Sequence, residues 1–294
     1  MKLIGKHIAC LCFLFFLISC SSASEDVSEG TVEKELNNEE RIIATTVAAA
    51  EIFAELNIDL VGVPTTYKGL PERYDGIKEI GNPMSPDMEL IKSLSPTHVY
   101  SVTTLQSDLE EIFERTNIPA SFLNFQSLED MLLEIEVIGS MHNRSKEAEE
   151  LIKSLEQQLS QSEQKVEGKQ SPKVLILLGV PGSYLVATEH SYIGDLVKRA
   201  GGTNIVQGET VEYLASNTEY LQQANPDVIL RAAHGMPEEV IEMFDHKFAT
   251  DDIWKHFDAV KNDRVYDLEE ELFPTTGNLA VGRAMDVLVD FLYR

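Results

Sequence analysis

The chain has 294 residues, 43% hydrophobic and 25% charged, a composition that excludes wholesale disorder, a collagen-like repeat and a polytopic membrane fold. Its 49 acidic residues against 24 basic ones give a formal net charge of −25. That charge repels phosphate backbones and anionic lipid, so the protein is expected to bind no nucleic acid and to have no basic patch for a membrane.

Residues 1–20 read MKLIGKHIACLCFLFFLISC. Lys2 and Lys6 precede an apolar run, residues 8–18, too short to span a bilayer comfortably, which is the pattern of a secretory signal. The run ends in Leu17-Ile18-Ser19-Cys20, which resembles the lipobox of bacterial lipoproteins. The resemblance implies cleavage after Ser19, diacylation of the Cys20 sulfur and anchoring at the extracellular face of the cell membrane. Cys10 and Cys12 leave with the signal, so the mature chain has no disulfide and no thiolate metal site. Loss of Lys2 and Lys6 takes the charge to −27. Residues 20–40 are rich in Ser, Glu and Asn and read as a flexible tether.

Residues 41–45 read as a strand, 47–56 as a helix and 60–63 as a strand. A helix over 85–94 is expected, with Ser85 as cap and Pro86 at its first position. Strands at 98–102 and 121–125 alternate with helices at 105–115 and 128–138. This alternation predicts a parallel sheet faced by helices in a first lobe, residues 41–140. Residues 141–166 lack Pro, carry one Gly-free amphipathic pattern and predict one long helix within a linking segment, 141–168. A second α/β lobe, 172–294, follows, with strands at 173–179, 227–230 and 264–268 and helices at 192–200, 238–244 and 282–293.

The fold class is therefore α/β, two Rossmann-like lobes joined by one long backbone helix. With a lipobox ahead of it, this architecture resembles the helical-backbone (class III) periplasmic binding proteins, the substrate-binding lipoproteins of ABC importers. That class handles siderophores, cobalamin, haem, zinc and manganese. The histidines form no tract, against a zinc or manganese site, and the candidate cleft loops are poor in arginine, against an anionic siderophore. Two loops stand out. One carries Met84, placed by this reading at a strand-to-helix turn of the first lobe, and the other carries His234, directly after a buried strand of the second. Either residue alone reads as core or surface. Offered by facing lobes, a thioether and an imidazole form an axial pair for haem iron.

Longer motifs narrow the resemblance. Thr45-Thr-Val-Ala, Pro64-Thr-Thr-Tyr-Lys, Pro83-Met84, Val180-Pro-Gly-Ser-Tyr-Leu-Val-Ala-Thr, Ser191-Tyr-Ile-Gly-Asp-Leu-Val and His234-Gly-Met-Pro-Glu-Glu-Val resemble the haem-binding lipoproteins of the iron-regulated surface determinant systems of Gram-positive bacteria. The resemblance runs from about Arg41 to the C-terminus. It implies one haem b per chain, with Met84 and His234 as iron ligands. Propionates would meet the helix start at Thr46, Val47 and Ala48, and Tyr67 would be a wall or hydrogen-bond partner. It further implies a monomer that receives haem from cell-wall relay proteins and delivers it to an ABC permease. Related binders dock their permease through one Glu per lobe, matched here by Glu89 ahead of Leu94-Ser-Pro-Thr-His-Val and Glu219 ahead of Ala224-Asn-Pro-Asp-Val-Ile. Siderophore or cobalamin binding within the same class is the alternative. No Gly-x-Ser-x-Gly or His-Glu-x-x-His motif and no mature thiol beyond Cys20 points to an enzyme.

Overall fold

The computed structural model describes residues 40–215, 221 and 223–294. The signal, Cys20, the tether up to residue 39 and Glu219 lie outside the described residues. The first sheet has the order β3-β2-β1-β6-β7, and every neighbouring pair is parallel. Its strands are β1 (Ile42–Ala44), β2 (Leu60–Val63), β3 (Lys78–Glu79), β6 (His98–Val102) and β7 (Ala120–Leu123). The two-residue strands β4 (Gly81–Asn82) and β5 (Ser85–Pro86) form a separate hairpin. Helices α1 (Val47–Glu55), α2 (Met88–Ser93) and α3 (Gln106–Thr116) connect these strands.

The expected start of α2 is corrected. Ser85 and Pro86 pair with Asn82 and Gly81, and the cap is Asp87, whose carboxylate accepts from the N–H groups of Glu89 and Leu90 at 3.0 Å. A carboxylate receiving two N–H bonds beside the positive helix end outcompetes a serine two residues earlier.

The single helix expected over 141–166 is present, and its start is corrected. Met141 ends α4 (Leu128–Met141), and α5 (Ser145–Gln164) starts after a break at residues 142–144. Asn143 takes φ +56° there, and Arg144 N–H donates to Gly139 O at 2.6 Å, closing a tight helix–helix turn. The two helices cross closely at Gly139, where a Cβ would run into the Ala148 methyl group and lie 3.0 Å from Arg144 O.

The second sheet has the order β11-β9-β8-β12-β13, with β10 also pairing β8. Its strands are β8 (Lys173–Val180), β9 (Ser183–Ala187), β10 (Thr203–Asn204), β11 (Tyr213–Ala215), β12 (Val228–Ala233) and β13 (Val265–Leu268). The sheet is mixed, because Pro181-Gly182 folds β9 back antiparallel on β8, with Gly182 at φ +80°. Helices α6 (Tyr192–Arg199), α7 (Pro237–Thr250) and α8 (Val281–Tyr293) face it.

One buried apolar cluster runs from Ile42 and Phe53 through Met131, Ile135 and Leu155 to Val174, Met285 and Leu292. It joins both sheets through α4 and α5. Polar ties reinforce it: Asp195 of α6 accepts from Leu128 N–H at 3.0 Å, supplying from the second lobe an acceptor that the start of α4 lacks internally. Gly139→Ala should lower stability by about 1–3 kcal/mol, read as a fall in thermal midpoint, because overpacking forces α4 and α5 apart. An unchanged midpoint would show that the crossing tolerates the methyl group.

Candidate ligand-binding cleft

The loops carrying the predicted residues all leave the carboxyl ends of strands, the edge where open α/β sheets receive ligands. After β1, Thr45 N–H donates to Tyr100 O at 2.9 Å, and the Thr46 side chain caps α1 by accepting from Ala49 N–H at 3.3 Å. The N–H groups of Val47 and Ala48, in the first turn, have no acceptor within the helix. The hydroxyls of Thr45, Ser101 and Thr103, at the ends of β1 and β6, are buried without hydrogen-bond partners among the described residues.

Met84 does not lie on a strand-to-helix turn, as the sequence reading placed it. It stands with Pro83 in the turn of the β4–β5 hairpin and is 63% exposed. The backbone holds it there: Met84 N–H donates to Asn82 Oδ1 at 2.9 Å. Thr65 N–H donates to Gly81 O at 2.9 Å, which fastens the loop bearing Tyr67 and Lys68 to this hairpin.

His234 follows β12, and its N–H donates to Gly179 O at 2.9 Å. Gly235 and Met236 then take φ +70° and +48°, turning the chain into α7 with Pro237 in its first turn. Beneath this turn Arg231 is clamped by Asp267, with bonds of 2.7 and 2.6 Å, and pairs with Asp245 at 2.9 Å. No described hydrogen bond engages the His234 ring. Although it meets solvent, surrounding protein shields it and holds its pKa below the usual imidazole value; Glu270 opposes that shift and Lys68 adds to it. A neutral ring keeps a nitrogen lone pair free for a metal.

Glu270, missed by the sequence reading, joins the two rims. It follows β13, and its side chain is only 8% exposed. Its carboxylate accepts from Tyr67 Oη at 2.6 Å and from Gly235 N–H at 3.3 Å, and pairs with Lys68 Nζ at 3.3 Å. The hydrogen bonds and the charge of Lys68 outweigh burial and hold this carboxyl below its usual range. Burial first, and then Glu270, push the Tyr67 hydroxyl up to about 12. Glu51 of α1 is shifted upward by burial, with Lys68 and Arg283 opposing. The sequence marks Glu270 by an acidic run, Glu269-Glu270-Glu271, at a strand's carboxyl end. The structure thus gathers Tyr67, Lys68, Glu270 and the His234-Gly235 turn, with the Met84 hairpin fastened to the same loop. Glu89 lies exposed in the first turn of α2.

Residues 42–272 match the family model described as periplasmic binding protein. The chain belongs to this family. It is 47% identical over 279 residues to the high-affinity heme uptake system protein IsdE of Staphylococcus aureus (strain bovine RF122 / ET3-1), covering 95% of this chain and 94% of that one. Among solved structures, S. aureus IsdE complexed with heme superposes with a TM-score of 0.84 at 49% identity, over 87% of this chain and all of that one. An ABC transporter substrate-binding protein from Listeria monocytogenes EGD-e superposes with a TM-score of 0.83 at 55% identity, over 87% and 99%. The chain is a class III periplasmic binding protein.

Glu270→Gln should weaken the bridge between the rims. It leaves Lys68 half-buried without its counter-charge, costing about 1–3 kcal/mol of stability, and should widen the molecule in small-angle scattering. If both stability and radius match the unaltered protein, Glu270 does not hold the lobes together.

Proposed function

We infer that this protein is the haem-binding, substrate-binding lipoprotein of an ABC importer, and that it holds one haem b between its lobes with Met84 and His234 as axial ligands. The reading rests on the 49% identity, across the whole of that chain, to the S. aureus IsdE whose crystal structure is complexed with heme. The residues here fit such a cargo. Among the described residues, no group of three or more His, Cys, Asp or Glu is placed to hold a bare metal ion. Haem needs no such group, because the porphyrin supplies four nitrogens and the protein only the axial pair. An exposed thioether on a braced hairpin and an unengaged neutral imidazole supply that pair. The exposed Tyr67 and Met236 side chains, 72% and 52% accessible, offer apolar surface to a flat ring.

The start of α1 would receive a propionate through the Val47 and Ala48 N–H groups, with the helix dipole favouring its charge. Thr46 contributes by fixing that turn, since its hydroxyl is already used as the cap. Tyr67, bonded to Glu270, serves as a wall. Two axial ligands leave haem iron no open position for oxygen or peroxide, so the protein is a carrier and not an enzyme. Cys20 carries the lipid that holds it at the extracellular membrane face, cell-wall relay proteins supply the haem, and a monomer docks the permease through Glu89 and Glu219.

Adding haemin to residues 24–294 should produce a low-spin Soret band. Met84→Ala and His234→Ala should each alter that band and weaken binding about tenfold or more, about 1.4 kcal/mol or above. A chain that binds no haemin would pass the reading to a siderophore or cobalamin. Glu89→Ala combined with Glu219→Ala should leave haemin affinity unchanged while abolishing uptake by cells; normal uptake would sink the docking assignment.

A further inference from the structure

Strand β7 is the outer strand of the first sheet. On its inner side it runs parallel to β6, with Val99 opposite Ala120 and Ser101 opposite Phe122, and Val99 N–H donates to Pro119 O at 2.9 Å. A parallel ladder of this phase turns the N–H and C=O groups of Ala120 and Phe122 to the open side. Among the described residues, a side chain closes that side only past the strand's end, where Glu134 Oε1 accepts from Asn124 N–H at 2.9 Å. An open edge of this kind is a template for another strand.

The edge lies in a groove of about 490 Å³ between α3 and α4. Phe113 and Ile118 line one wall, Val137 and Met141 the other. Val137 and Met141 are 50% and 56% exposed, large apolar side chains that the core leaves uncovered. The charged residues lining the groove are Glu110, Glu114 and Glu134, with no Lys or Arg among them. This charge selects the occupant. A second copy would bring the same carboxylates against these, and the charged residues within 21–39 of the chain itself are all acidic apart from Lys34. An anionic lipid surface is repelled in the same way.

We propose that this groove docks an extended, basic segment of a partner protein. The segment adds a strand to β7 through the backbone groups of Ala120 and Phe122. Its apolar side chains rest on Val137 and Met141, and its Lys or Arg residues face Glu110 and Glu114.

The test uses the full chain in detergent micelles and a capped Lys-Val-Lys-Val-Lys-Val peptide. Its controls are the same peptide N-methylated at alternate residues and a Glu-for-Lys version. The unmodified peptide should bind in a salt-sensitive manner and slow hydrogen exchange at the Ala120 and Phe122 amides. N-methylation, the Glu version, and the protein variant Glu110→Gln with Glu114→Gln should each weaken binding about tenfold or more. Haemin binding should stay unchanged in that variant, because the groove shares no residue with the cleft. Absence of binding, equal binding of the N-methylated peptide, or binding without protection of those two amides would overturn the proposal. The peptide controls need no altered protein, so a misfolded variant cannot mimic either result.

Discussion

The structure depends on one apolar core that does not stop at the boundary between the sheets. Helices α4 and α5 turn back on each other at residues 142–144 and bury one continuous cluster that includes residues of both lobes. Hydrophobic burial is non-directional, so by itself it would let the lobes slide. Close crossings and directed bonds remove that freedom. Gly139 lets α4 and α5 touch, and Gly282 lets α8 approach Gln158 of α5. Ser162 of α5 and Lys165, just past its end, both bond to Asp286 of α8, at 2.6 and 2.7 Å. With the base so constrained, the carboxyl ends of both sheets supply the loops of one cleft.

Within that cleft the electrostatics are set by few charges. A nearly buried carboxylate is costly unless its lone pairs are used, and Glu270 uses them on a phenol, an ammonium and a backbone N–H. It thereby holds first-lobe side chains against the turn that carries His234. Among the described residues the imidazole has no hydrogen-bond partner, and burial shifts it toward its neutral form. A neutral imidazole keeps one ring nitrogen's lone pair free, which a protonated ring does not.

Most of the element order was legible because apolar residues recur at helical or strand spacing. The largely buried β8 and the fully buried β12 were visible this way. Met84 and His234 were visible as candidates through their flanking motifs. Their setting was not: Met84 sits on a hairpin whose strands are two residues long, too short for any period to register. Glu270 was invisible because its partners lie 203 residues away at Tyr67 and 35 away at Gly235. The break between the two helices was placed a few residues early because apolar spacing does not mark where backbone sterics at the left-handed Asn143 interrupt the helical run.

The sequence alone determined the two-lobed α/β alternation and the family, since both are written in local composition, spacing and motif. Only the tertiary structure decided that Asp87 caps α2, that the linking helix is half of a hairpin, that the second sheet is mixed, and that Glu270 joins the two rims. Those features arise from contacts between segments far apart in the chain, where competing caps, close approaches and buried charges are weighed against one another in space.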